Sequence, residues 1–157
     1  MRKMSLSVLV VGALALVGFA PAAQARPLTQ STTCDVSAIA TFNPGLTLGE
    51  KAQTIKMKGT LSSCNGGGVT SGSFRGTGSG TMSCTSGSGT GILKVTWDTT
   101  EVSKISITLT TSGLSGTVIG GKFKGEAVTA DVTITPLQGN CFPDPVTKAG
   151  VSGTVSL

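Results

Sequence analysis

The feature that most restricts the fold of this 157-residue chain is an alternation of apolar and polar side chains that repeats along most of its length. In one segment, Ile55, Met57 and Leu61 fall on one face while Lys56 and Lys58 fall on the other. Successive side chains of a β-strand point to opposite faces, so this spacing predicts a half-buried strand. No helical periodicity follows the first 25 residues. The sequence therefore predicts an all-β fold.

The alternation divides the chain into about eight predicted strands with mostly short connections. These strands cover residues 36–42, 54–61, 74–84, 92–97, 102–111, 114–119, 122–134 and 151–157. Breaker residues at 43–45 predict the end of the first strand, and residues 120–121 predict a tight glycine hairpin. Within 122–134 the apolar set changes from odd to even positions, which predicts a β-bulge or corner near Ala127.

Two architectures fit eight short antiparallel strands, namely an up-and-down barrel and a two-sheet β-sandwich. The barrel is favoured because its closure leaves no strand edge exposed to other molecules. A barrel of this size is filled by side chains or holds one small ligand. The many glycines and alanines at inward positions favour some interior space.

Residues 1–25 have the pattern of a secretory signal peptide. A positively charged start precedes an apolar run at 6–19, and Ala23 and Ala25 provide small residues for cleavage. The run is shorter than the roughly 20 apolar residues of a transmembrane helix. We therefore expect a secreted protein whose residues 26–157 form a single all-β domain without a transmembrane segment.

All four cysteines follow the predicted signal peptide, and an even number in an oxidising compartment predicts two disulfides. In an up-and-down arrangement, Cys34 and Cys64 lie at one end of the molecule, and Cys84 and Cys141 lie at the other. Bridged α-carbons are only about 4.4 to 6.8 Å apart, so the predicted pairs are Cys34–Cys64 and Cys84–Cys141. Strand parity leaves the first pair about one residue out of register, which a bulge or a loose terminus would absorb.

The chain contains no histidine and no tyrosine. This absence excludes Ser-His-Asp and Cys-His catalysis as well as histidine-liganded zinc, and the cysteines are too far apart for a typical metal site. We therefore expect a protein that is not an enzyme and that uses no metal or cofactor. A carboxylate hydrolase is a minor alternative, which a cluster of Glu126, Asp131 or Asp144 in a cleft would favour.

The chain carries 12 Lys and Arg against 7 Asp and Glu, a net charge of +5. Without Arg2 and Lys3 of the signal peptide the net charge falls to +3, from 10 basic and 7 acidic residues. This charge is small and scattered along the sequence, so no nucleic-acid partner is expected. The strand lysines are interpreted as a solvated face that discourages edge pairing.

The longest predicted connection runs from Pro136 to Lys148 and is anchored at Cys141. In an eight-stranded barrel the bridge to Cys84 would draw this connection across one open end. It would act there as a plug that completes the core with Leu137 and Phe142, or as a lid over a ligand-binding mouth.

The leading functional hypothesis is a non-enzymatic domain that binds a small apolar ligand or an extracellular partner through its loop end. The candidate ligand-binding side chains are Phe74, Met82, Leu93, Trp97, Phe123 and Phe142. The alternative is a structural or cell-envelope-associated protein with no ligand cavity.

Several short motifs carry a resemblance to a known class of proteins. They are Cys34-x3-Ala38-x-Ala40-x-Phe42-x-Pro44-Gly45-Leu46, Gly59-Thr60-Leu61-x-x-Cys64, Gly80-x3-Cys84 and Val95-Thr96-Trp97. Together they resemble small secreted two-disulfide actinobacterial β-proteins of uncharacterised function. This resemblance implies secretion, two disulfides and an all-β fold. The composition is also similar to that of the enediyne-carrier proteins, although the cysteine spacing differs from theirs.

Overall fold

The structure is a computed structural model that describes residues 31–110 and 113–157, so the predicted signal peptide lies outside the described residues. The described part of the chain forms eight β-strands. They are β1 (Thr33–Leu46), β2 (Lys51–Asn65), β3 (Gly72–Met82), β4 (Gly87–Trp97), β5 (Val102–Thr110), β6 (Gly113–Gly121), β7 (Ala127–Gln138) and β8 (Val146–Ser156). None of the residues described forms a helix long and apolar enough to cross a membrane.

The eight strands close into one antiparallel barrel. Each strand pairs with its neighbours in sequence, and β1 pairs with β8 to complete the ring. The predicted up-and-down barrel is therefore confirmed, and the chain does not divide into two sheets. We call the end where β1, β3, β5 and β7 begin the lower end, and the end where they finish the upper end.

Both predicted disulfides are confirmed. Cys34 and Cys64 are joined at the lower end with their α-carbons 4.1 Å apart, and Cys84 and Cys141 are joined at the upper end with theirs 6.1 Å apart. Each bridge therefore links two loops or strand ends at one end of the barrel, as the direction of the strands requires.

A bulge in β2 brings the lower disulfide into register. The pairing of β1 with β2 shifts between Asp35 and Thr33, so that Ser63 and Cys64 together face Cys34. Ser63 adopts a φ of 51°, which marks the extra residue. The inserted residue reverses the parity of β2 and turns Cys64 toward the barrel interior.

The prediction that β1 ends at residues 43–45 is wrong, because β1 continues to Leu46. The side chain of Gln53 on β2 takes the place of ladder hydrogen bonds here. Its Nε2 donates to the carbonyl oxygen of Gly45 at 2.9 Å, and its Oε1 accepts from the amide of Gly45 at 2.9 Å. Gln53 is 3% exposed, and this amide pairing satisfies the buried side chain.

The predictions of a hairpin at residues 120–121 and of a bulge near Ala127 are also wrong. Both glycines belong to β6, and residues 122–126 form the connection to β7. The amide of Gly125 donates to the carbonyl oxygen of Val118 at 2.8 Å, which closes this turn. The change of the apolar side chains from odd to even positions therefore marks this turn and not a bulge. The irregularity in this region lies instead in β6, where its pairing with β5 shifts by one residue between Lys104 and Ile105.

The lower end is closed by a packed aromatic pair and a short chain of hydrogen bonds. Trp97 is 3% exposed and meets the ring of Phe123 edge to face, with centroids 5.3 Å apart. The indole Nε1 of Trp97 donates to Ser103 Oγ at 2.8 Å, and that hydroxyl donates to the carbonyl oxygen of Lys122 at 2.6 Å. The polar atoms of Trp97 and Ser103 are thereby satisfied, and this end of the barrel is packed. The buried hydroxyl of Thr32 at the same end has no hydrogen-bond partner among the described residues.

The variant Trp97→Ala should lower the free energy of unfolding by about 3 to 5 kcal/mol, because it removes a buried ring that packs against Phe123 and leaves Ser103 without its donor. The control Ile92→Ala, at a residue of β4 that is 39% exposed on the outer face, should change the free energy by less than about 1 kcal/mol. Urea unfolding measures both values. Equal losses in the two variants would contradict the assignment of inner and outer faces.

Candidate ligand-binding site

The barrel encloses an apolar cavity of about 430 Å³. Inward residues from all eight strands contribute to its lining. Those of β1, β7 and β8 include Val36, Ala40, Phe42, Val132, Ala149, Val151 and Val155. The lining runs from Leu61 and Trp97 near the lower end to Leu46 near the upper end, so the cavity extends along most of the barrel.

Glycine pairs in β3 and β4 bring these two strands close together beside the cavity. Gly78 lies opposite Gly91, and Gly80 lies opposite Gly89. A Cβ atom at Gly80 would collide with the carbonyl oxygen of Ser88, so the close approach of the two strands requires glycine. Gly78, Gly89 and Gly91 line a second pocket of only about 30 Å³ in this wall, and none of them belongs to the lining of the 430 Å³ cavity.

The cavity changes in polarity from bottom to top. Phe74, Val95 and Trp97 are buried and form its apolar lower part. At the upper end the lining includes the hydroxyl-bearing loop between β3 and β4, with Ser83 and Ser86. No residue among the described ones that line the cavity is charged. The site therefore suits a ligand that is mostly apolar, with a neutral polar group at the mouth.

A gap in the ladder between β6 and β7 opens this cavity toward the upper end. The two strands pair only over Leu114–Thr117 and Ala127–Ala130. Beyond that segment β7 continues to Gln138, and among the residues described its ladder there is with β8. Val132 and Ile134 line the cavity on this stretch, and Ile134 is 49% exposed. The interior is therefore accessible from the side as well as from above.

The upper disulfide draws two opposite loops together over the mouth. β3 and β7 are four strands apart in the ring of eight, yet Cys84 and Cys141 are bonded and both line the cavity. We call residues 139–145 with this bridge the strap. Of the two expected roles, plug or lid, the plug is wrong, because Leu137 is 54% exposed and Phe142 is 74% exposed. The strap crosses the mouth without filling the space beneath it.

The loop that anchors the strap is held by its own hydrogen bonds. Ser83 Oγ accepts from the amide of Ser86 at 3.0 Å, and the hydroxyl of Ser86 donates to Glu50 Oε1 at 2.7 Å. The amide of Cys84 donates to the carbonyl oxygen of Thr47 at 2.8 Å. These bonds join the β3–β4 loop to the β1–β2 loop, so one side of the mouth is fixed.

The sequence candidates for ligand binding occupy different places in the structure. Phe74, Met82, Leu93 and Trp97 line the cavity. Phe123 packs against Trp97 at the lower end, outside the lining, and Phe142 lies exposed on the strap. The candidates from the sequence were the large residues of the central strands, and they omitted the small apolar residues of β1, β7 and β8. The inward parity of those strands was the signal that could have identified them.

The carboxylates do not gather at the cavity. Glu126 precedes β7 at the lower end, Asp131 is exposed on the outer face, and Asp144 belongs to the strap. The pKa of Asp98 is lowered chiefly by a hydrogen bond from the hydroxyl of Thr70, and that of Glu101 by a hydrogen bond from Lys122. Both of these carboxyls lie in the β4–β5 turn at the lower end, on the side away from the mouth.

The described residues contain no group of three or more His, Cys, Asp or Glu side chains placed to hold a metal ion.

Comparisons with protein-family models, with curated proteins and with solved structures found no match to this chain. The fold and the cavity define its class by structure alone, as a disulfide-strapped up-and-down β-barrel with an apolar interior.

Replacing both upper cysteines, as Cys84→Ser with Cys141→Ser, should free the strap while leaving the strands of the barrel ordered. Backbone NMR order parameters of residues 139–145 should fall from about 0.85 to below about 0.6, since the loop loses its covalent anchor over the mouth. The matched control replaces Cys34 and Cys64 by serine and should leave the strap rigid. A strap that stays equally ordered without its own bridge would contradict this assignment.

Proposed function

We propose that this protein is a secreted, non-enzymatic β-barrel that binds one small apolar molecule inside the barrel. The observation that carries the proposal is the cavity of about 430 Å³ with its apolar lining. Pockets for small ligands are typically about 300 to 1,000 Å³, mostly apolar, and equipped with a few polar groups. A ligand in this site would direct its apolar part toward Phe74 and Trp97 and any neutral polar group toward the hydroxyls near Ser83.

The proposal of a binding protein without catalysis is supported by the chemistry of the lining. No ionisable side chain belongs to the residues that line the cavity. At the mouth, the carboxylate of Glu50 accepts a hydrogen bond from the lining residue Ser86, and Asp144 belongs to the strap, but no second catalytic group stands beside either of them among the lining residues. General acid–base and nucleophilic catalysis both require such a group within reach of the substrate. The alternative of a structural protein with no ligand cavity is disfavoured by the volume of the interior.

Secretion is supported by the two disulfides, which persist in oxidising compartments, and by the signal-like pattern of residues 1–25. We propose that the mature protein consists of residues 26–157 as one domain.

Binding of an extracellular protein at the upper end is a second candidate function, because Leu48, Leu137 and Phe142 expose 63%, 54% and 74% of their surface there.

The neutral dye Nile red should gain fluorescence on entering the cavity. The variant Val132→Phe should weaken its binding roughly tenfold or more, because the larger ring occupies the cavity beside the gap between β6 and β7. The matched control Thr133→Phe places the same ring on the outer face and should bind the dye as the unmodified protein does. Equal affinities for all three proteins would mean that the dye binds elsewhere.

Native mass spectrometry of protein purified from its own culture medium tests the physiological side of the proposal. We expect an added mass that corresponds to one small molecule per chain and that is lost in Val132→Phe. Repeated observation of the bare chain, together with no Nile red binding, would contradict the proposed function.

A further inference from the structure

The strand register assembles a row of positive charges that the sequence scatters over 46 positions. Lys58 of β2 lies opposite Arg75 of β3, Arg75 lies opposite Lys94 of β4, and Lys94 lies opposite Lys104 of β5. All four are exposed on the outer face of the barrel. We call these four residues the cationic row. Neighbouring strands are about 4.8 Å apart, so the row crosses four strands with one charge per strand.

Within the described residues, no ion pair joins a carboxylate to the cationic row. β2, β3, β4 and β5 contain no Asp or Glu. The ion pair found within residues 31–110 and 113–157 joins Lys122 to Glu101 at the lower end. The charge of the barrel is therefore concentrated on one side.

This arrangement opposes stability, and the interpretation of the strand lysines as edge protection does not account for it. Like charges directly opposite one another on adjacent strands are destabilising. Positive residues are useful on strand edges that must be kept from pairing. However, β2 to β5 are each paired on both sides within a closed barrel, so they have no free edge to protect. An uncompensated row at such positions favours a negatively charged partner.

We propose that the cationic row binds a linear polyol phosphate, a flexible polymer that carries one phosphodiester charge per repeat. A row with one cation per strand matches a chain of regularly spaced anions that crosses the strands. The guanidinium of Arg75 adds a planar fork that suits a phosphate group. Such polymers would meet the protein outside the cell, where the proposed function places it.

The side chains that flank the cationic row favour a polyol phosphate over a nucleic acid. The row on one side comprises Thr60, Ser73, Thr96 and Val102, and the row on the other side comprises Lys56, Thr77, Ile92 and Ser106. Five of these eight side chains are hydroxyls, which can exchange hydrogen bonds with the hydroxyls of a polyol. None is aromatic, whereas proteins that bind single-stranded nucleic acids stack the bases on aromatic rings.

The cationic row and the cavity lie on opposite faces of the same strands. Lys94 points outward between Leu93 and Val95, which both line the cavity. A polymer bound outside would therefore leave the interior free for a ligand. The protein would be retained at the polymer while its cavity remains open.

The test measures binding of a synthetic glycerol phosphate polymer to the full mature protein by isothermal titration. The row variant combines Lys58→Gln, Arg75→Gln and Lys94→Gln, and should lose roughly tenfold or more of its affinity at about 0.15 M salt. For a single-stranded polyanion, neutralising three contacts should also reduce the slope of log K against log salt by about 2.

The matched control variant combines Lys51→Gln, Lys124→Gln and Lys148→Gln, which removes the same net charge outside the cationic row. It should retain the affinity within about twofold. Equal losses in the two variants, or no binding by the unmodified protein, would overturn the proposal. So would tighter binding of an oligothymidylate with the same number of phosphates, or equal binding of monomeric glycerol phosphate.

Two further readouts separate this proposal from misfolding and from the proposed ligand cavity. The row variant should melt no lower than the unmodified protein, because it relieves repulsion between opposed cations. Its Nile red affinity should be unchanged. A lower melting temperature in the row variant would show that the row stabilises the fold and would overturn the argument.

Discussion

The pairing of β1 with β8 is the constraint on which the other features depend. It closes the ladder, so that alternate side chains of every strand face either an enclosed interior or the solvent. The closed ring also fixes which strand ends meet. For that reason the two disulfides each join segments at one end, and the upper bridge spans the mouth. A ring of eight strands has an interior that side chains can fill, and here a cavity of about 430 Å³ remains above the packed Trp97 and Phe123.

The contrast between the packed lower end and the unfilled interior follows from residue size. Trp97 and Phe123 close the lower end, and Ser103 satisfies the indole. Above them, small inward side chains of β1 and β8 such as Ala40, Ala149 and Val151 line the cavity. The protein thus combines a packed lower end with an unfilled interior, and the disulfides contribute stability at the two ends of the barrel. The proposed ligand-binding function requires both features, a stable barrel and free space inside it.

Much of the fold could be predicted from local signals. The alternation at Ile55 assigned faces correctly, and strand direction alone determined the cysteine pairs. The wrong predictions of strand ends and turns concerned features that depend on contacts with residues distant in the sequence. Hydrogen bonds with the side chain of Gln53 allow β1 to continue through the breaker residues 43–45. The turn after Lys122 depends on backbone hydrogen bonds to Val118. The cavity volume and the cationic row were beyond sequence reasoning, because both require the cross-strand register that brings distant residues such as Lys58 and Lys104 onto one face.

The most direct test of this account is an NMR measurement of intermolecular nuclear Overhauser effects between bound Nile red and the methyl groups of the protein. The account predicts contacts to inward methyls, such as those of Met82, Leu93 and Val151, which line the cavity. Contacts confined to the outward Ile92 and Ile119, which are 39% and 44% exposed, would show that the dye binds the surface. That result would contradict the claim that the barrel interior is a binding site.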